Sequence, residues 1–398
     1  MNKKEIYDFL HYGCTVHDAS LDYLNFNELD KKITKNTLAK GQSALDETFK
    51  TCVSENRDFN KHIVPLSGGL DSRLILGELI KNKEVENQQI LAVTYGMPET
   101  WDYEIPKKVC KKFNISHELV NLNKEIDWSY NKLVEYAKNH NRPHKFFDGF
   151  IHNQIFSKFN SGSSVFWSGF LGGVVGGCNL PNKKINNWEE ALNWFKIWHK
   201  HPDMTLTPKE YNPLNSLPSE PFLDSEEMSY TDQLDFAIRQ KNLIREIVIQ
   251  DHKKFIQPYT QNPWLSFCMR LPYEKRVNQT FYKKLLLKRH PELFKLPTET
   301  NAGLPLNSSK LRVKLEHYLV TIREILFDEK PYQIYIDFEE ELRKDNQFSN
   351  SVKRALDLLK VNVTNFSAEG LLEQHQNGQD LSKDLLLLAS LALYKQSL

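Results

Sequence analysis

Residues Ser67 to Ser72 read SGGLDS and stand between an apolar run, His62–Leu66, and a helix-like stretch, Arg73–Lys81. A glycine pair flanked by hydroxyls at a strand-to-helix junction is built to hold an anion. The backbone can approach an oligophosphate where no side chain intervenes, and a helix N-terminus offers it unpaired N–H groups and positive dipole. Ser67 and Ser72 add hydroxyl donors, and Asp71 is a carboxylate of the kind that ligates Mg²⁺. No Lys-Ser/Thr follows the glycines, so this is not the Walker phosphate loop. The plainer alternative is a glycine-rich turn with no ligand.

The surroundings predict the fold. Ile90–Tyr95 (ILAVTY) is a β-branched apolar run of the kind a parallel sheet buries, His117–Val120 is a weaker strand, and Ser164–Trp167 (SVFW) runs into a second glycine loop. Between these strands, Ile75 with Leu79 and Leu76 with Ile80 mark one helix face, and Asp102–Phe113 reads as another helix with Pro106 in its first turn. Such alternation predicts an α/β fold, a doubly wound parallel sheet whose ligands sit beyond the carboxyl ends of the strands. We divide the chain into a linker-like segment over 1–60, a nucleotide-binding core over 61–178, an insertion and helical substrate-binding part over 179–326, and a helical tail over 327–398. Helices are expected at Lys40–Glu55, Tyr230–Lys254, Val277–His290 and Leu381–Tyr394, and an irregular, Pro/Asn-rich insertion or lid at Asn179–Leu223.

Composition excludes several classes. The 52 basic and 51 acidic residues nearly cancel, which argues against general nucleic-acid binding. The most apolar run, Leu385–Tyr394, is too short to span a bilayer, and the N-terminus lacks the apolar core of a signal peptide. Five dispersed cysteines without a C-x-x-C pair imply free thiols in a reducing compartment, so a cytoplasmic location is expected.

Three further stretches follow in order: Thr94-Tyr95-Gly96 with Asp102 and Glu104; Ser168 to Gly177, with five glycines in nine residues; and Pro291 to Pro305, PELFKLPTETNAGLP. Together with SGGLDS, the PP-loop of enzymes that split ATP into AMP and pyrophosphate, they resemble the synthetase domain of the asparagine synthetase-like family, which includes β-lactam synthetase. The resemblance runs from about His62 to Pro305. It implies an ATP-dependent carbon–nitrogen ligase that adenylates a carboxylate on a small molecule or peptide and passes the acyl group to ammonia or an amine. Its implied cofactors are ATP and Mg²⁺. Carried over, Ser67, Gly68, Gly69 and Ser72 would cradle pyrophosphate and Asp71 would hold the metal. Backbone at Leu66, Val93, Ser168 and Gly169 would border AMP, with Val93 and Thr94 reading the base edge. The glutaminase domain of family members that take ammonia from glutamine is missing, and Phe9-Leu10-His11-Tyr12-Gly13 resembles the linker that follows it.

Phe170 and Gly173 stand where the family places acidic residues, and Asn301 and Ala302 where it places a lysine. Lys295 and Lys310 are the nearest substitutes, either as a pyrophosphate cation or as surface lysines. Asp148, with His144 and His152, is a further candidate for the catalytic cluster, and Arg239, Arg245 and Arg270 are carboxylate clamps by chemistry alone. Two other functions stay open: a nucleotide-binding scaffold or partner subunit that has lost catalysis, and a sulfur-transfer enzyme using Cys178. A homodimer or a partner enzyme is equally open.

Overall fold

The computed structural model describes residues 1–25, 32–250, 252–327, 335–359 and 367–398. Its centre is a five-stranded sheet, wholly parallel: β1 (Lys61–Pro65), β2 (Ile90–Gly96), β3 (Ser116–Asn121), β4 (Ser164–Trp167) and β5 (Phe255–Ile256), in the order β3-β2-β1-β4-β5. Four strands are those expected from the apolar runs. The fifth falls where the helix expected over Tyr230–Lys254 has already ended: helical structure, partly π-helical, stops at Val248, and Phe255–Ile256 pairs with Phe166–Trp167. A two-residue edge strand is too short to show any periodicity.

Alternation along the strands builds two layers of core. Val64, Ile90, Ala92, Val165 and Trp167 point to one face, with Leu74, Leu76 and Leu79 of α3 (Asp71–Lys81) and Val109 of α4 (Trp101–Phe113). That face is completed by α2 (Thr37–Ser54), whose Leu45 and Phe49 join the same cluster. Ile63, Leu91, Val93 and Phe166 point the other way, against helices Tyr130–Lys138 and Phe146–Phe159 and the C-terminal helix Ser382–Ser397. Full burial stabilises by about 1.5–3 kcal/mol per large aliphatic side chain, and none of Ile63, Val64 and Val93 has any exposed surface.

Both ends of the chain belong to these layers. In α1 (Lys3–Tyr12), Asn2 and Glu5 form a reciprocal capping box, and its Phe9 and Leu10 are fully buried with the C-terminal helix residues. The stretch read as an irregular insertion contains an amphipathic helix, Trp188–Trp198, capped by Asn187 and packed through Ala191 and Phe195 on Leu234 and Ala237. The tail is helical at Phe338–Arg343, Gln347–Asp357 and Ala368–Gln376; the expectation over 328–334 and 360–366 falls outside the described residues. No helix among the described residues is long and apolar enough to cross a membrane.

The strand order has one consequence for ligands. From β1 the chain winds out to β2 and β3, then returns to place β4 on the other side of β1. The switch point therefore lies between the carboxyl ends of β1 and β4, where open α/β sheets bind ligands. The two glycine loops follow those two strands.

Candidate nucleotide site

At the switch point lies a cleft with two lobes. One, of about 480 Å³, is lined by Ser67, Gly69, Asp71, Ser72, the loop Ser168–Val174, Arg239 and Phe255. The other, of about 320 Å³, is lined by Leu66, Ser67, Asp102, Lys145, Asp148, His152 and Tyr335. Pro65, Ser67, Tyr95 and Ile244 border both, so the end of β1 forms the wall between them.

The SGGLDS loop shapes itself with its own hydroxyls. Ser67 N–H donates to Ser72 Oγ (3.1 Å), and Gly69 N–H donates to Ser67 Oγ (3.2 Å). Gly68 N–H donates to Asp102 Oδ1 (2.8 Å), while Gly68 C=O accepts from Arg73 Nη2 (3.1 Å) and from Glu299 N–H (3.0 Å). A Cβ on Gly68 would lie 3.0 Å from the Trp101 carbonyl oxygen, so that glycine serves packing. A Cβ on Gly69 would meet nothing closer than Ser67 Oγ at 3.3 Å, so this glycine faces the cleft.

The second loop departs from the expectation that phosphates approach its glycines. A Cβ on Gly172 would lie 2.5 Å from Asp71 Cγ, and one on Gly177 would lie 2.4 Å from the Arg276 carbonyl oxygen. These glycines make room for protein. Asp71 fills the space: its Oδ2 accepts from Gly173 N–H (2.7 Å) and its Oδ1 from Tyr282 O–H (3.0 Å). Desolvation under the loop pushes its carboxyl up to about 6, against the lowering pull of those two donors.

This arrangement bears on the expected metal ligand. Asp71 lines the cleft, but both its oxygens are engaged by protein donors. A carboxylate at position 173 would have its Cβ 3.2 Å from Asp71 Oδ2. Among the described residues no three His, Cys, Asp or Glu side chains cluster to hold an ion. Each Asp71 oxygen accepts one hydrogen bond and keeps a second lone pair, so Asp71 fits as a lone carboxylate on a Mg²⁺ that nucleotide phosphates and water would otherwise hold. Phe170, the other position expected to be acidic, is buried against Tyr23.

Of the other residues carried over, Leu66, Ser67, Gly69, Ser72, Ser168 and Gly169 line the cleft. Val93 and Thr94 line neither lobe. Val93 C=O accepts from Leu66 N–H (2.8 Å), and Thr94 Oγ1 donates to Leu66 C=O (2.7 Å) and contacts His117 Nε2 (2.9 Å), so both are used up holding β2 to its neighbours.

Asp148 does reach the cleft. Burial works to raise its carboxyl, but Lys145 at 3.0 Å and the Tyr335 hydroxyl hold it below the usual range. His152 joins it, taking a hydrogen bond from Tyr95 O–H at Nε2 (2.9 Å) and donating from Nδ1 to the Ile247 carbonyl (2.8 Å). His144 is fully buried elsewhere, with Tyr136 (3.2 Å).

The substitute lysines are not brought to the site. Lys295 is exposed and lies 3.5 Å from Glu292, and Lys310 is exposed at the start of helix Lys310–Phe327; neither borders a lobe. Lys145 is the lysine of the cleft, legible in hindsight only from its three-residue spacing to Asp148. Arg239 lines the larger lobe, 3.8 Å from Asp235, whereas Arg245 lines a separate polar pocket and Arg270 borders neither lobe. Glu104 pairs with Lys107 at 2.7 Å in the first turn of α4, as an acid complementing a helix dipole would.

Residues 61–152, from β1 into the helix carrying Asp148 and His152, match the family described as Queuosine biosynthesis protein QueC. No curated protein matches the chain. The match covers SGGLDS and stops before the second glycine loop. With the loop sequence and the sheet order, it makes this stretch a PP-loop domain, a nucleotide-binding unit of the kind that ATP-using enzymes employ.

Proposed function

We propose that the chain is an AMP-forming amide ligase of the asparagine synthetase-like type, using ammonia or an amine. The observation that carries this reading is the shared wall. A nucleotide in the smaller lobe, with its phosphates over Ser67 and Gly69, would face an acid held in the larger one. A carboxylate oxygen attacks the α-phosphorus and pyrophosphate leaves. Ammonia or an amine then attacks the acyl carbon of the mixed anhydride, AMP leaves, and the nitrogen gives up a proton. A carboxylate is a poor electrophile and AMP a good leaving group, so the protein's part is alignment and charge stabilisation.

In this reading Ser67, Gly69 and Ser72 hold the phosphate tail. Lys145 and Asp148 meet the nucleoside end, and Arg239 neutralises the acid. The free cysteines, none of them paired, suit a reducing cytoplasm. Sulfur transfer is the weaker alternative: the exposed Cys178 thiol donates to Asn179 Oδ1 (3.3 Å) and has the Asp71 and Asp235 carboxylates near it, which disfavour the thiolate that nucleophilic attack needs.

One observation favours a second reading, a nucleotide-binding subunit that does not turn over. Asp71 is tied to Gly173 and Tyr282, and nothing acidic stands at 170 or 173. Purified protein given ATP, Mg²⁺, ammonium and a panel of carboxylic acids decides between them. Equimolar AMP and pyrophosphate, with a new amide, is the expected result. Tight ATP binding with no pyrophosphate release across the panel would leave the scaffold reading standing.

A further inference from the structure

The buried charges around Gly68 are unmatched. Arg73, the second residue after Asp71 in α3, has no exposed surface. Its Nη2 and Nη1 reach only the carbonyls of Gly68 (3.1 Å) and Leu293 (3.4 Å), its Nε has no partner, and its guanidinium lies over the Phe294 ring at 5.9 Å. Among the described residues it forms no ion pair. Leaving a guanidinium there is costly unless a negative charge comes near.

About the same glycine stand two acids that form no ion pair among the described residues. Asp102 is carried there by the first turn of α4 and Glu299 by the short hairpin Pro297–Pro305. Glu299 is fastened down by its own N–H on Gly68 C=O (3.0 Å), and a Cβ on Gly69 would lie 4.0 Å from its Oε2. The two carboxyls hydrogen-bond each other; burial raises both above the usual carboxylate range, the Asp102 charge lifts Glu299 further, to about 8, and the Gly68 amide and Glu299 pull Asp102 back, so the pair keeps a proton, on Glu299. Asp102 Oδ1 takes the Gly68 amide, the same kind of donor a phosphate oxygen takes on such a loop.

We propose that Asp102, held in place by Glu299, is an internal stand-in for phosphate: it occupies the Gly68 amide in the empty loop, and an incoming nucleotide phosphate displaces it. The proposal rests on the reading that nucleotide enters this cleft. Gly68 is then a phosphate seat backed by Arg73, and the acid pair competes for it. Competition from the acid pair weakens the grip on ATP.

Calorimetry on the full-length chain without added metal tests this, with ATP, inorganic pyrophosphate and adenosine as probes. Asp102→Asn weakens the stand-in by removing the single charge of the proton-sharing pair while keeping shape, and Glu299→Ala weakens it by removing the side chain that holds Asp102. Each is expected to tighten ATP and pyrophosphate binding about fivefold to tenfold and to leave adenosine binding unchanged. Should Asp102→Asn not fold, Glu299→Ala, at a half-exposed position, still decides the matter. Equal or weaker ATP binding in a folded variant overturns the proposal and leaves the nucleotide site intact. Absence of ATP binding in every form, the unmodified chain included, removes the nucleotide reading and this inference with it. A crystal structure with ATP bound in which Asp102 still accepts from Gly68 N–H would also overturn it.

Discussion

The two glycine loops follow neighbouring parallel strands, carry similar sequences and face one cleft, yet their glycines do opposite things. In the first, Gly69 opens the backbone to the cleft, and hydroxyls of Ser67 and Ser72 satisfy the nearby amides. In the second, Gly172, Gly173 and Gly177 are small because Asp71, Gln279 and Arg276 press against them. A glycine is needed wherever backbone must come close to something, and the sequence does not say whether that something is a ligand or the protein itself.

This contrast predicts unequal responses to the same substitution. Gly172→Ala forces a methyl into Asp71 and should cost about 3 kcal/mol or more, read as a lower denaturant midpoint at unchanged m-value. A near-neutral result would show that the second loop has slack and that Asp71 can swing free.

Asp71 ranks next. Its folded-state pKa of about 6 lies above the 3.8 of a free aspartate. The stability this adds is fully present below pH 4 and is lost as pH rises through 6. Asp71→Asn should flatten that slope and make the chain about 2 kcal/mol less sensitive to the change from pH 4 to pH 7. Tyr282, Tyr259 and Cys178 are the titratable groups around it, and all titrate far above this window. An unchanged slope would mean that Asp71 is ionised throughout.

Gly69→Ala should fold almost normally, at a cost under about 1 kcal/mol, yet weaken ATP binding about tenfold, because its methyl takes the space a phosphate needs. Wild-type affinity would remove Gly69 from the phosphate path. Smallest of all, Lys295→Ala and Lys310→Ala should leave ATP affinity within about twofold, and loss of the exposed Lys295–Glu292 pair should cost under about 0.5 kcal/mol. A tenfold loss of affinity in either would show that the cleft closes far enough to recruit a distant lysine.

How much of this was readable depended on the range of the interaction. The strands at 62–66, 90–95 and 164–167 were visible because burial on both faces leaves continuous apolar runs, and the weaker signal at 117–120 belongs to a largely exposed edge strand. Phe255–Ile256 was not, since a two-residue strand exists only through its pairing with β4. In the site, SGGLDS announced itself through local backbone chemistry. Lys145, Glu299 and the role of Arg73 did not, because only folding brings Lys145 to the cleft and Glu299 and Arg73 to the Gly68 carbonyl, and each looks like an ordinary surface or helix residue in sequence. Lys295 and Lys310 were chosen by closeness along the chain, which carries no information about a helix that turns its lysines outward.

The amino-acid order by itself determined the parallel sheet, the loop after its first strand and the carboxyl-end location of the cleft. All three follow from periodicity and backbone sterics acting over a few residues. Only the tertiary structure decided which glycines face the cleft, that Asp71 binds the opposite loop and that Asp102 and Glu299 meet the Gly68 peptide. Those outcomes depend on contacts between segments tens to hundreds of residues apart, where desolvation and charge are set by whatever folding brings alongside.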